Sequence, residues 1–433
     1  MWLIALLLGG RMRSILALSL LLIIPTIPAL AADTTPGALR IGLDHSFRHS
    51  TILLISCEHP FSLTDAPTHR ALAHGYGNSI YKMTIAPTGI ALARLDGLKE
   101  VAVAGSGMAL IALPGQSGCL KIARMDNCPA GTKGIPWHRY RGFLTVRRDP
   151  DNALRVVNTV PLEPYLYGVL PAEIGTKVPF EAMKAQAVAA RTYALKNRGK
   201  CAGDGFDLDD TTRCEGYEGV DGETAASNAA VDGTRGQILA YQGQMIDAPY
   251  STDSGGMTAC DDSGDCPYLQ AVRDGDGADG RDYAADGRYH TWTQTWTPAQ
   301  LAQTLARDPR TKVAQFMSLT VDGLDASGRI TTATAAGADG TLRTVTGPQL
   351  RQILGYDSLR STRVTLTRTP TGDYRFDGKG WGHGLGMSQD GAVAMAGPPY
   401  RKTYREILKH YYVGAVIASD TSVSPSKVAR HGS

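Results

Sequence analysis

A chain of 433 residues is long enough for two or three domains of ordinary size and for a real hydrophobic core. Hydrophobic residues make up 43% and charged residues 20%, which excludes a disordered chain and a coiled coil. With 44 Lys+Arg against 41 Asp+Glu the formal net charge is +3, too balanced for nucleic acid to be the main partner.

The N-terminus opens apolar. Arg11 and Arg13 then read as a basic n-region, Ser14–Ile27 as an apolar h-region and Ala29-Leu30-Ala31 as a small-x-small cleavage site. Residues 1–31 are thus expected to be a signal peptide, with Met12 as an alternative start and an uncleaved anchor as the rival reading. No later run of 18 apolar residues predicts a further span. The expected location is periplasmic or secreted. All seven cysteines follow the signal, and three close pairs suggest disulfides: Cys119/Cys128, Cys201/Cys214 and Cys260/Cys266. Sequence does not fix that connectivity. Cys57, in the apolar run TILLISCEHPF, reads as a buried inert thiol.

Residues 38–160 read as strands, in short apolar or alternating runs such as ALRIGL, STILLIS, SIYKMTIA and LRVVNTVP. PLEPYLYGVLPAEIG is an apolar segment ahead of a helix predicted over 179–197, with Pro179 at its first position and Gly199 beyond its end. Residues 200–235 read as an acidic, glycine-rich loop and a short helix around Thr224–Thr234; 237–258 return to strand. Residues 259–290 are a polar stretch expected at the surface. Its GDGADG run lacks the spacing of a calcium loop and reads as solvated. Then follow a helix from Thr297, a hairpin around Ser327-Gly328, a short helix in TGPQLRQILG, two strands, and a glycine-rich loop running into a helix from Ser388. YRKTYREILKHYY is a last helix. The expected fold is mixed α+β: a strand-rich N-terminal region (32–160), a helix-containing region with Gly-rich loops (161–418), and a loose tail (419–433).

Three constellations carry polar chemistry. In the first, Glu173 ends an apolar segment, where partial desolvation suits a carboxyl to general-acid work. Tyr165 and Tyr167 alternate ahead of it and offer rings to stack on sugars. The plainer reading is a surface glutamate beside core tyrosines. In the second, Tyr250, Ser251, Ser254 and Thr258 crowd hydroxyls around Gly255-Gly256, either to bind a polyol or as an ordinary hairpin turn. In the third, GKGWGHGLGMSQ alternates glycines with Trp381, His383, Ser388 and Gln389. Backbone without side chains lets a ligand approach, and Trp381 offers a stacking face. No Lys-Ser/Thr ends this loop, so it is not a phosphate loop.

PLEPYLYGVLPAEI, PFEAMKAQAVAARTYAL, DDTTRCEGYEG, GGMTACDD and GKGWGHGLGMSQDGA, in this order over roughly residues 155–415, resemble the stage II sporulation protein D family, which includes the amidase enhancers named LytB. The resemblance implies an exported peptidoglycan lytic transglycosylase. Such a lyase cuts the bond between N-acetylmuramic acid and N-acetylglucosamine, preferring peptide-free strands, and leaves 1,6-anhydro ends. It implies Glu173 as the catalytic acid, then base. Tyr165, Tyr167, Tyr250, Ser251, Ser254, Thr258, Trp381, His383, Ser388 and Gln389 would hold the glycan. Partners would be peptidoglycan glycan strands and a cell-wall amidase. The alternative is a non-catalytic, glycan-binding enhancer of such an amidase. Three positions depart from the family pattern. Tyr250 and Arg213 stand where histidines are common, and Asp390 where tryptophan is usual. Some members bind zinc near Cys201 and Cys214; without the histidine, no metal and no cofactor are expected here.

Overall fold

The computed structural model describes residues 37–95, 100–112, 118–125, 134–261, 264–276 and 280–421. The expected signal peptide, Cys128, part of the GDGADG run and nearly all of the tail lie outside the described residues. No helix among the described residues is long and apolar enough to cross a membrane.

The first half is built of strands, as their apolar alternation predicts. In chain order they are β1 (Ala38–Gly42), β2 (Ile52–Cys57), β3 (Phe61–Asp65), β4 (Arg70–Gly75), β5 (Tyr81–Ala86), β6 (Gly89–Arg94), β7 (Glu100–Ala104), β8 (Met108–Ala112), β9 (Leu120–Arg124), β10 (His138–Tyr140), β11 (Phe143–Arg148) and β12 (Leu154–Pro161), with a single helical turn α1 (Asp44–Phe47) after β1. One sheet runs β1-β12-β11-β8-β3-β4, and β13 (Leu208–Asp209) adds to it in parallel beside β1. The other runs β10-β9-β2-β5-β6-β7. Both contribute to one core: Leu39, Ile41 and Val156 from the first sheet meet Leu53, Ile55 and Met83 from the second. The same core continues past β12 into Tyr165, Val169 and Met183.

β12 leads directly into α2 (Leu162–Ile174), where the sequence suggested only an apolar segment ahead of a helix. Pro164 falls in the first turn, where no intrahelical N–H is required of it, so the helix tolerates it. A helical backbone turns residues two apart to different faces. Tyr165 is therefore fully buried, while Tyr167 lies half-exposed with its hydroxyl on Asp232; the two do not form one stacking face. α3 (Phe180–Lys196) matches the predicted alanine-rich helix. Its Ala187 and Ala190 pack into the first core, and Ala185, Val188 and Ala189 into a second with Met387, Ala392 and Tyr411. α4 (Ala225–Asp232) is opened by a Thr224–Ser227 capping box.

The second core gathers β14 (Gln237–Tyr241), Ile246 just past β15 (Gln244–Met245), and β16 (Tyr250–Ser251) with elements from the end of the chain. A third core lies between β17 (Thr291–Trp296), α5 (Pro298–Leu305), the hairpin β18 (Phe316–Leu324) and β19 (Ile330–Gly337), β20 (Leu342–Thr346), α6 (Gly347–Leu354), β21 (Val364–Arg368) and β22 (Tyr374–Lys379). The chain then returns through β23 (Met387–Ser388), α7 (Gln389–Ala396), α8 (Tyr404–Tyr411) and β24 (Val416–Ser419). The 259–290 stretch is less superficial than its polarity suggests: Tyr268, Leu269, Asp274 and His290 are buried in it.

Candidate active site

Glu173 sits in the last turn of α2, whose end is set by the Gly175 N–H returning to the Pro171 carbonyl. Its carboxylate joins two distant segments. Oε1 accepts the Gly216 N–H at 2.6 Å, and Oε2 accepts Nε2 of Gln389, the first residue of α7, at 3.2 Å. The residue is half-buried. Desolvation raises its pKa above the ordinary value, outweighing the two donors, which pull the other way.

A second carboxyl lies beside it. Glu215 is fully buried, with Oε2 accepting from Tyr165 at 3.0 Å and Oε1 from Tyr250 at 2.7 Å. Burial, with the charge of Glu173 adding to it, pushes its pKa up to about 8. The sequence did not single out Glu215. Its only signal was an acid next to Cys214 in a loop, and the two phenols that enclose it come from α2 and β16. Tyr165 and Tyr250, expected to touch glycan, point their hydroxyls at this buried acid instead.

This arrangement predicts a pH dependence. Below about pH 4.5 the carboxyl is protonated in both the folded and the unfolded chain. Between about 4.5 and 8 only the unfolded chain ionises it. Folding stability contributed by this group therefore falls as pH rises through that window, and the whole cost is present above it. Glu215→Gln is expected to flatten the decline, read as the difference between urea melts at pH 5 and pH 8 for the two proteins. An unchanged difference would show that Glu215 does not carry it.

The glycine-rich loop runs along β16. Met387-Ser388 pairs in parallel with Tyr250-Ser251, and Trp381 forms an antiparallel bridge with Asp253. Gly382 has φ +122°, and a Cβ there would overlap the Ser251 side chain, so the close approach of the two segments requires glycine. Ser251 Oγ accepts the Gly384 N–H at 3.2 Å. His383 keeps part of its surface exposed, and its Nδ1 accepts the Leu385 N–H at 3.0 Å, which only a ring deprotonated at Nδ1 can do. Desolvation by the surrounding protein, with the Arg351 charge adding, pushes its pKa down to about 4.

The remaining hydroxyls face inward. Ser254 donates to Asp274 at 2.5 Å and Thr258 to the Gln270 carbonyl at 2.7 Å. Ser388 caps α7 by accepting the Gly391 N–H. All three are buried and act as framework, with no free face for a ligand. Of the residues expected to hold glycan, His383 is exposed, Trp381 and Tyr167 are half-exposed, and Gln389 reaches the site through Glu173.

Cys201 and Cys214 do come together, as thiols with Sγ atoms 3.7 Å apart, and burial pushes the Cys214 pKa up to about 12. With Asp209 they form a donor set within 4.8 Å. Arg213 stands among these donors, its Nη2 on Cys201 Sγ and its Nε 2.7 Å from Asp209 Oδ2. A fixed guanidinium repels a second cation, so the set does not fit a zinc ion. Cys266 is a thiol accepting from Tyr268, and Cys57 donates its thiol hydrogen to the Cys119 carbonyl.

Residues 150–241 match the family described as stage II sporulation protein, and residues 278–386 match a domain of unknown function. An uncharacterised protein of Brachyspira hyodysenteriae is 34% identical over 284 residues, 63% of this chain and 71% of that protein. The stage II sporulation protein D of Bacillus subtilis is 31% identical over 288 residues, 60% of this chain and 76% of that protein. The amidase enhancer of Bacillus subtilis is 30% identical over 293 residues; they make up 59% of this chain but only 40% of the enhancer.

Proposed function

The chain belongs to the stage II sporulation protein D and amidase-enhancer family, and from that membership we propose that it is an exported protein that binds peptidoglycan glycan strands in support of a cell-wall amidase. The observation that carries the binding role is the glycine-rich loop: His383 is exposed and Trp381 half-exposed, while the hydroxyls around them are held inward. The similarity to an amidase enhancer favours the supporting role.

A second reading rests on Glu173. A half-buried carboxyl with a raised pKa, fixed by a backbone N–H and an amide, suits a general acid. On this reading the chain is itself a lytic transglycosylase. Glu173 gives its proton to the glycosidic oxygen as that bond breaks. The resulting carboxylate takes the proton from the muramic acid 6-hydroxyl, whose oxygen closes on C1 to give the 1,6-anhydro end. Glu215 is too enclosed to act as a second catalytic carboxylate.

Mass spectrometry of products from intact and peptide-free wall glycan separates the readings. New anhydro-muramic ends made by the chain alone establish cleavage. Binding without new ends, together with faster release of peptides when an amidase is added, establishes the enhancer. No binding to either substrate overturns both.

A further inference from the structure

The Gly216 N–H that holds Glu173 is not fixed by regular backbone structure. Residues 215–218 form neither helix nor strand, so no ladder of hydrogen bonds sets where that donor stands. Side chains do. On one side of Gly216, the buried Glu215 accepts from the Tyr165 hydroxyl at 3.0 Å on one oxygen and from the Tyr250 hydroxyl at 2.7 Å on the other. On the other side, the Tyr217 hydroxyl donates to Asn158 at 2.8 Å in the interior, and its ring packs on Tyr165 with centroids 5.0 Å apart.

The two phenols that grip Glu215 come from the elements that meet at Glu173. Tyr165 lies on α2, whose last turn carries Glu173. Tyr250 opens β16 and pairs with Met387 of β23, two residues before Gln389, the other donor to Glu173. One buried carboxyl therefore links α2, the loop that presents Gly216, and the β16–β23 pair that leads into α7. The fit at the loop is close. A Cβ on Gly216 would stand 3.3 Å from the Ala172 Cβ and 3.4 Å from Glu173 Oε1, so a small shift of this backbone is felt at the carboxylate. The charged groups facing Glu215 are Glu173 and Lys200, with the Tyr193 phenol from α3. Lys200 donates to the Tyr193 hydroxyl and to the Arg213 carbonyl.

We propose that Glu215 is a positioning residue for Glu173: gripped by phenols of α2 and β16, it holds the neighbouring Gly216 N–H on the Glu173 carboxylate. It touches no substrate and acts through the backbone of the next residue. A supporting shell of this kind keeps a reacting group within the small tolerance that proton transfer demands. The inference deepens the reading of Glu173 as a general acid and rests on it for its consequence in rate.

Carbon-13 NMR of the full chain, labelled at the glutamate carboxyls, tests the placement; the Glu173 signal is the one missing from Glu173→Gln. In Glu215→Ala both phenols lose their anchor and ionised Glu173 loses a donor. Its titration midpoint is expected to rise by about one pH unit, the size of one charge-assisted hydrogen bond. Glu215→Gln keeps a neutral group of the same shape between the phenols, and Glu215 itself ionises only at about 8. The glutamine variant is therefore expected to keep the wild-type midpoint. If Glu215→Ala does not fold, Tyr250→Phe carries the test. It deletes one anchor, keeps the ring, and is expected to move the midpoint in the same direction. An unmoved midpoint in the folded variant overturns the proposal. So does a glutamine variant that shifts as far as alanine, because charge and not grip would then be the cause. Where the wild type makes anhydro ends, Glu215→Ala is expected to make them about ten- to a hundredfold more slowly at unchanged KM, and Glu215→Gln at the wild-type rate. A wild type that makes no ends overturns the acid reading of Glu173 alone, since the titration decides the role of Glu215 without it.

Discussion

Arg191→Met is expected to destabilise the protein by about 3–5 kcal/mol, the cost of leaving a buried charge without its partner. Arg191 is completely buried in the middle of α3. Its guanidinium forms a two-pronged pair with Glu163 of α2, Nε to Oε1 at 2.9 Å and Nη2 to Oε2 at 2.7 Å. The remaining N–H groups reach the carbonyls of Val231 at 3.1 Å and of Gln237 at 3.3 Å. One side chain thus ties α2, α3, α4 and the start of β14 together. Methionine fills similar space but supplies no donor, and the Glu163 carboxylate and two carbonyls are left in a dry interior. Removing both charges, as in Arg191→Met/Glu163→Met, is expected to recover much of the loss, because an apolar pair has no desolvation cost to offset. Denaturant melts of the wild type, the single variant and the double variant measure this. A single variant no less stable than Arg310→Met, which removes an exposed arginine paired with Asp308, would show that the pair is not needed.

Arg191 also marks where the sequence stops being readable. The helix around it was legible because alanines recur at helical spacing and Pro179 and Gly199 bracket it; the observed Phe180–Lys196 follows. The alternating strands and the Ser327-Gly328 hairpin were legible for the same reason, local periodicity with turn residues between. α2 was not. Its Tyr-Leu-Tyr run imitates strand alternation, and two prolines and a glycine argue against a helix unless their places in the first turn and near the end are known. The site divides in the same way. Glu173 and the Trp381 loop stand out in the sequence because each is a local motif. Glu215 was missed because what matters is which side chains enclose it, and those come from 50 and 35 residues away in the chain. For the same reason Ser254 and Thr258 looked like ligand hydroxyls. A serine beside two glycines reads the same whether it faces a sugar or an aspartate.

Glu173→Gln is expected to keep glycan binding within about twofold and to remove any cleavage by the chain, a loss of about a hundred- to ten-thousand-fold in anhydro-muramic ends where the wild type makes them. The substitution is close to isosteric. The new amide oxygen still accepts the Gly216 N–H, and the new NH2 faces Gln389, which meets it by turning its own amide to present oxygen. The cleft is therefore unchanged in shape while the transferable proton is gone. That separates the two roles of the residue better than alanine, which would also free the Gly216 N–H and detach α2 from α7. If the wild type makes no ends, the same variant remains informative. An enhancer needs Glu173 only to join the Gly216 segment to Gln389, so the glutamine should stimulate an added amidase as well as the wild type does. A glutamine variant that makes ends at the wild-type rate would remove Glu173 as the acid. One that loses glycan binding altogether would place the carboxylate's charge in recognition of the strand.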